Sequence, residues 1–158
     1  MNGQVQAVAA PHELATLLIP MYEKQLVLPN VSVAEVIPYA PPQPADNAPD
    51  WYLGTVQWRN IDVPVVSFEA LNGEVAVSHS RKRRIAVLNG LVDNQRLPFC
   101  AMVTEAMPRL MRIMADEIAA DDEGGMLGPC ELGRVLVNGE RAVIPNIDYL
   151  QQQFLNIL

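Results

Sequence analysis

The sequence is poor in the residues from which active sites are usually built. Its 158 residues include two histidines, two cysteines and only 6% aromatics. His12 and His79 stand far apart, and neither has a second histidine at a ligand spacing such as His-x-x-x-His, so no metal-binding pattern is present. Cys100 and Cys130 are too few for a disulfide framework and form no Cys-x-x-Cys pair. No Gly-x-x-x-x-Gly-Lys-Ser/Thr or Gly-x-Gly-x-x-Gly loop is present to cradle a phosphate. The Gly-x-Ser-x-Gly elbow of nucleophilic hydrolases is also missing. No apolar run reaches the ~20 residues that span a bilayer. The longest early one, Leu14–Met21, contains Pro20. Met1-Asn2-Gly3-Gln4 lacks the basic region of a secretory signal. These absences predict a soluble, cytoplasmic, non-catalytic protein with free thiols, no cofactor and no metal.

What is present is a chain able to bury a core. Hydrophobic residues make up 50% and charged residues 18%, which excludes intrinsic disorder. A net charge of -7 speaks against a global nucleic-acid binder and against docking on anionic lipid. Thirteen prolines and nine glycines cut the chain into short pieces. Many short strands with turn residues between them point to barrels or a sandwich.

The pieces read as follows. Leu17–Pro20 and Lys24–Pro29 are apolar strands about a turn at Met21-Tyr22-Glu23. Asn30–Ile37 is ambiguous: Val31, Val33 and Val36 favour a strand, while Asn30 can cap a helical turn. Residues 38–49 are dense in proline, cannot supply ladder donors and read as a surface loop. Leu53–Gln57 and Ile61–Phe68 are strands, with Pro64 suggesting an edge or bulge. Ile85–Leu88 and Leu97–Glu105 follow, separated by a turn at Asp93-Asn94. Arg109–Ile113 alternates with period two. Arg134–Val137 and Arg141–Ile144 flank Asn138-Gly139, whose residues both tolerate positive φ and so signal a hairpin. Ile147, Leu150, Phe154 and Ile157 recur at helical spacing behind Asn146, a suitable N-cap. A polar, basic connector at Ser78–Arg84 divides the strands into two halves.

Two charge clusters remain. Arg81-Lys82-Arg83-Arg84 suits an acidic protein surface or, as the alternative function, a nucleic-acid-binding small barrel. No aromatic residue adjoins it in sequence. Asp116-Glu117 and Asp121-Asp122-Glu123 lack the alternation of a cation loop and read as a solvated loop ending in Gly124-Gly125. Cys100, within an apolar strand, reads as a buried inert thiol; Cys130, after Gly128-Pro129, reads as more exposed. Met102, Met107, Met111 and Met114 lie on or beside strands and read as core filler.

The segment Trp51–Phe68 resembles the signature of CheW-like chemotaxis adaptors: a glycine, an Asn-Leu-Arg-Gly turn, then an apolar-Pro-apolar-apolar-Asp-Leu strand. Here Gly54 is kept, the turn reads Gln57-Trp58-Arg59-Asn60, and Ser67-Phe68 stand for Asp-Leu. Val33-Ala34-Glu35-Val36-Ile37 resembles the family's Val-x-Glu-Ile segment. Ala101–Glu105 and Gly133–Leu150 resemble its later strands and terminal helix. The pattern is most similar to the ChpC-like accessory adaptors of type IV pilus chemosensory systems. The resemblance implies one mainly β domain, residues 1–158, of two packed five-stranded SH3-like barrels with a short C-terminal helix. The first barrel would span about 28–80, the second 81–146 with strands from 14–27, and the helix 147–158. It implies an adaptor without catalysis, at the inner face of the membrane within receptor arrays. Its partners would be the CheW-like regulatory domain of a CheA-type histidine kinase and the cytoplasmic tip of a chemoreceptor, with self-association or other adaptors also open. By position, Val33, Glu35 and Arg59 would face the receptor, and Ile61, Val63 and Val65 are candidates for the kinase.

Overall fold

The computed structural model describes residues 13–75, 80–90 and 96–158. β1 (Glu13–Met21) and β2 (Lys24–Pro29) form a hairpin over Tyr22-Glu23, with Glu23 at a φ of 59°. A 3₁₀ turn at Asn30–Ser32 leads into β3 (Val33–Pro38), so the ambiguous segment is a helical turn followed by a strand. β4 (Tyr52–Trp58) and β5 (Ile61–Val66) make the second hairpin. A single-turn helix α1 (Phe68–Leu71) precedes β6 (Arg84–Asn89), β7 (Phe99–Thr104) and β8 (Arg109–Met114). A second 3₁₀ turn (Ala115–Glu117), β9 (Ile118–Ala120), β10 (Glu131–Val137), β11 (Glu140–Pro145) and α2 (Ile147–Ile157) complete the chain.

The strands form two sheets, one ordered β8-β1-β2-β11-β10-β9 and the other β3-β6-β7-β5-β4. In each sheet the two edge strands follow one another in the chain: β8 passes to β9 through a 3₁₀ turn, and β3 to β4 through residues 39–51. Both sheets therefore curl. Leu18, Val27, Ile113, Val135, Val137 and Ala142 form the inside of the first. Val56, Trp58, Val63, Val65, Ile85, Val87 and Ala101 form the inside of the second. Between the sheets lies a larger core that includes Ile19, Leu26, Phe68, Leu88, Met102, Leu150 and Phe154. Strand alternation explains the arrangement: in β6, Ile85 and Val87 point inward while Ala86 and Leu88 point to the partner sheet. Strands buried on both faces read as continuous apolar runs.

The sequence reading is corrected in several places. The split near Ser78–Arg84 does not separate the sheets, because β6 and β7 pair with β3 and β5. Their two-faced apolar character suits the interior positions they take. Phe68 is not the end of a strand. Ser67 Oγ accepts the Ala70 N–H at 3.2 Å and caps α1, a role that an aspartate in its place also serves. The proline-rich segment contributes one ladder step after all, through Gln43, whose N–H and C=O both bond Thr55 at 2.7 and 3.0 Å. Gly54 makes that approach possible. Its φ is 118°, and a Cβ there would overlap the Gln43 carbonyl. Pro64 lies in a strand with neighbours on both sides, but pairing with β7 begins only at Val65, so β5 is locally an edge at the proline. The acidic residues flank structure: Ile118–Ala120, between the two acidic stretches, pairs with β10, and the Asp121 side chain is covered and lies 3.4 Å from Arg141. Cys130 is fully buried, like Cys100, and burial pushes both thiols up to about 12. Met102 is fully buried, Met111 and Met114 are partly so, and Met107 is 58% exposed. The turn at Asp93-Asn94 lies outside the described residues. The hairpin at Asn138-Gly139, with φ values of 48° and 82°, and the Asn146 cap on the Tyr149 N–H at 3.0 Å follow the sequence reading.

A polar clasp joins the two sheets. Glu131, at the start of β10, has a side chain only 1% exposed. It accepts Arg134 Nε at 2.7 Å and Asn72 Nδ2 at 2.7 Å, with Lys24 Nζ 3.9 Å away. Asn72, just past α1, returns its Oδ1 to the Cys130 N–H at 2.9 Å. Burial alone would raise the Glu131 carboxyl, but the bonds from Arg134 and Asn72, with the charges of Arg134 and Lys24, outweigh it and hold the group below its ordinary value of 4.5. A depressed carboxyl contributes stability above its unfolded pKa and loses it as pH falls through the folded one. Glu69 acts in the opposite sense, because burial raises its carboxyl against the pull of the Tyr22 N–H. Glu131→Gln is therefore expected to cost about 2–3 kcal/mol at neutral pH. It is also expected to flatten the loss of stability below pH 4.5. Urea titrations of both proteins across that range measure this; equal slopes would remove Glu131 from the clasp.

Candidate functional site

A cluster of three side chains forms at the tip of the β4–β5 hairpin. Arg59 and Asn60 take φ values of 49° and 62°, the paired left-handed residues of a tight two-residue turn between Trp58 and Ile61. The turn presents Arg59 at the surface, with its side chain 69% exposed. Its guanidinium lies over the Trp58 ring, 4.6 Å from the centroid. Glu35, from β3, receives both neighbours on one oxygen: Trp58 Nε1 donates to Oε1 at 3.1 Å and Arg59 Nη2 at 3.2 Å. Trp58 is buried and fixed edge-on against Phe99, with ring centroids 4.8 Å apart. An exposed arginine is thus held by a half-exposed carboxylate and a buried indole. The cluster offers guanidinium donors in a defined orientation to an incoming carboxylate or carbonyl.

The fold brings together Glu35 and Arg59, which are 24 residues apart in sequence. It does not add Val33. A bulge between Val33 and Glu35 breaks their alternation, and Val33 packs against the core between the sheets. Val63 and Val65 are 0% exposed and cannot touch a partner; their alternation aims them into the curled sheet. Ile61, beside the turn, is half-buried. The sequence motif does not mark Trp58 as a site residue, although it adjoins Arg59. The available signal was a single aromatic where the resembled turn has leucine.

The basic run does not act as one patch. Arg83 stacks on Tyr39, 4.1 Å from the ring centroid, and donates to the Ser80 carbonyl at 2.9 Å. Arg84 donates to the carbonyls of Lys82 and Arg83. Arg81 and Lys82 remain exposed. The fold supplies an aromatic neighbour that the sequence does not show, but it uses that residue to hold Arg83 down. His12 and His79 lie outside the described residues, among which no group of three or more His, Cys, Asp or Glu is placed to hold a metal. No helix among the described residues is long and apolar enough to cross a membrane.

Two curled sheets sharing a core, with an oriented surface arginine cluster, define a small β scaffold. Residues 15–154 match the CheW-like domain, and the chain belongs to that family, a family of scaffolding domains in chemotaxis signalling. The fold is similar to that of the scaffolding protein TtCheW from Thermoanaerobacter tengcongensis, with a TM-score of 0.70 and 15% identity over 86% of this chain and 89% of that one. Among curated proteins no significant match is found.

Trp58→Phe keeps a ring against Phe99 and removes the indole donor to Glu35. It is expected to lower stability by about 1 kcal/mol in urea unfolding. No loss would show that the Glu35 bond contributes nothing.

Proposed function

We propose that this protein is a non-catalytic adaptor that couples chemoreceptors to a CheA-type histidine kinase. In this reading it works on the cytoplasmic side of the membrane and is held there through the receptor array. Membership of the CheW-like family across residues 15–154 carries the proposal. The Glu35–Trp58–Arg59 cluster supports a receptor-facing role for that end of the molecule. Arg59 is exposed and oriented, and its bond to Glu35 is a surface ion pair worth only about 0–1 kcal/mol, so a partner can engage it at small cost. Val33, half-buried at the start of β3, is proposed for the same face.

The kinase contact is proposed for apolar strand residues at the sheet ends, with Ile61 the remaining member of the sequence set. Arg81 and Lys82 suit an acidic partner surface. The closer kinship with ChpC-like adaptors, and hence a role in type IV pilus motility, belongs to the same proposal and rests on the sequence pattern at Trp51–Phe68.

Titration calorimetry against the regulatory domain of the cognate kinase is the first test, with micromolar affinity expected. No complex at tens of micromolar with either kinase or receptor would overturn the adaptor reading. With a receptor fragment, Arg59→Ala is expected to weaken binding by about 1–3 kcal/mol while circular dichroism stays unchanged. Equal affinity in a folded variant would place Arg59 outside the interface.

A further inference from the structure

We propose that the seam between β3 and β4 is a docking groove for an extended segment of a partner protein, one that alternates aliphatic and basic side chains. This site is distinct from the Arg59 cluster and does not depend on the receptor assignment.

β3 and β4 are the two edges of the second sheet. Across the gap between them the chain runs antiparallel. At one end Glu35 reaches Trp58 and Arg59; at the other Gln43 pairs with Thr55. Pro38 and Pro41 lie between these two links, and neither has an N–H to donate. The seam stays open there as a groove of about 490 Å³, lined by Ile37, Pro38, Pro41, Val56, Gln57 and Asp62 among others.

The hydrogen-bond alternation of β4 shows what the groove offers. Thr55 turns both its N–H and its C=O outward to Gln43. Its β5 partner, Pro64, has no donor to give. Two residues further on, Gln57 points its N–H and C=O the same way. Among the described residues, neither group has a backbone partner across the seam. Gln57 is exposed. This is an unpaired strand edge of the kind that binds an added strand.

Side-chain chemistry selects the occupant. Val56 faces the inside of the curl with Ile37 and Ile85, so a residue opposite Val56 meets an apolar mouth. The next residue falls on the outer face with Gln57 and its cross-strand neighbour Asp62. The Asp62 carboxylate takes the Gln57 amide, and no Lys or Arg is paired with it among the described residues. Alternation therefore calls for an aliphatic residue inward and a Lys or Arg outward at successive positions.

The test is an NMR titration of the ¹⁵N-labelled protein with acetyl-Thr-Lys-Val-Lys-Val-Thr-amide, and with the same peptide carrying Glu for Lys. The lysine peptide is expected to shift the Gln57 amide and slow its solvent exchange; the glutamate peptide is expected to do neither. Asp62→Asn should weaken the response about threefold to fivefold. Gln57→Pro, tolerable at a strand edge, should abolish it. If that variant unfolds, the Asp62 variant and the two peptides still decide. No shift at millimolar peptide, an equal response to both peptides, or shifts confined to other amides would overturn the proposal. Gln57 shifts that grow with protein concentration alone would assign the seam to a second copy and overturn it too.

Discussion

The buried Glu131 carboxylate is the constraint on which the relation of the two sheets depends. Each sheet brings an apolar outer face to the shared core, and apolar contact is not directional. Several offsets of one sheet over the other would bury similar area. Only an offset that brings Asn72 to Glu131 satisfies it: its donors are Arg134 on β10 and, from the other sheet's side, Asn72 just past α1, with the Lys24 charge of β2 3.9 Å away. Gly128 helps to fix that offset, since a Cβ there would overlap the Asn72 amide. The chain of bonds continues from Asn72 to the Cys130 N–H, and from the Cys130 carbonyl to the Asn146 N–H at 2.7 Å. Asn146 caps α2, which places Leu150 and Phe154 in the shared core. A buried ion pair adds little net stability over an apolar substitute, but breaking one leaves a stranded charge. Here its effect is to select one arrangement.

Local features of the fold were legible in sequence wherever one short stretch decides them. Asn138-Gly139 carries its own backbone preference, and Asn146 needs only the Tyr149 N–H three residues on. What was not legible depends on partners far along the chain. Nothing local to Ile85–Leu88 says that its neighbours will be β3 and β7. The basic connector before it suggested a boundary because charge often marks one. In this chain Arg83 and Arg84 instead bond carbonyls within residues 80–83 as β6 begins. Cys130 follows a Gly-Pro pair that suggests exposure, yet Asn72, 58 residues earlier, pulls its backbone inside.

The same division holds at the site. Arg59 was found through its motif, and the motif is a turn, so the structure keeps it at the surface. Glu35 was found beside it by resemblance, and the long-range bond joins them. Val63 and Val65 suggest a kinase contact only because they are apolar and near the hairpin. The two-residue period of a strand, applied from buried Val56 and its partner Val63, already sends them inward. Trp58 belongs to that inward row too, which is why its ring is buried while its N–H reaches the rim.

The β4–β5 turn itself is informative. A tight hairpin turn with two residues at positive φ is ordinarily built from Asn and Gly, yet here the first position is arginine. A left-handed arginine costs roughly 1 kcal/mol relative to glycine. Ring stacking on Trp58 and the bond to Glu35 each offset a fraction of that, at an exposed site where neither is strong. The arrangement gains almost nothing for the fold, so stability does not account for arginine at this position. What it does achieve is orientation: the backbone strain, the indole face and the carboxylate together leave the guanidinium few directions in which to point. A side chain of high rotamer entropy that is already held in place loses less on meeting a partner. That is the property expected of a recognition residue, and the unusual backbone of the turn is its structural mark.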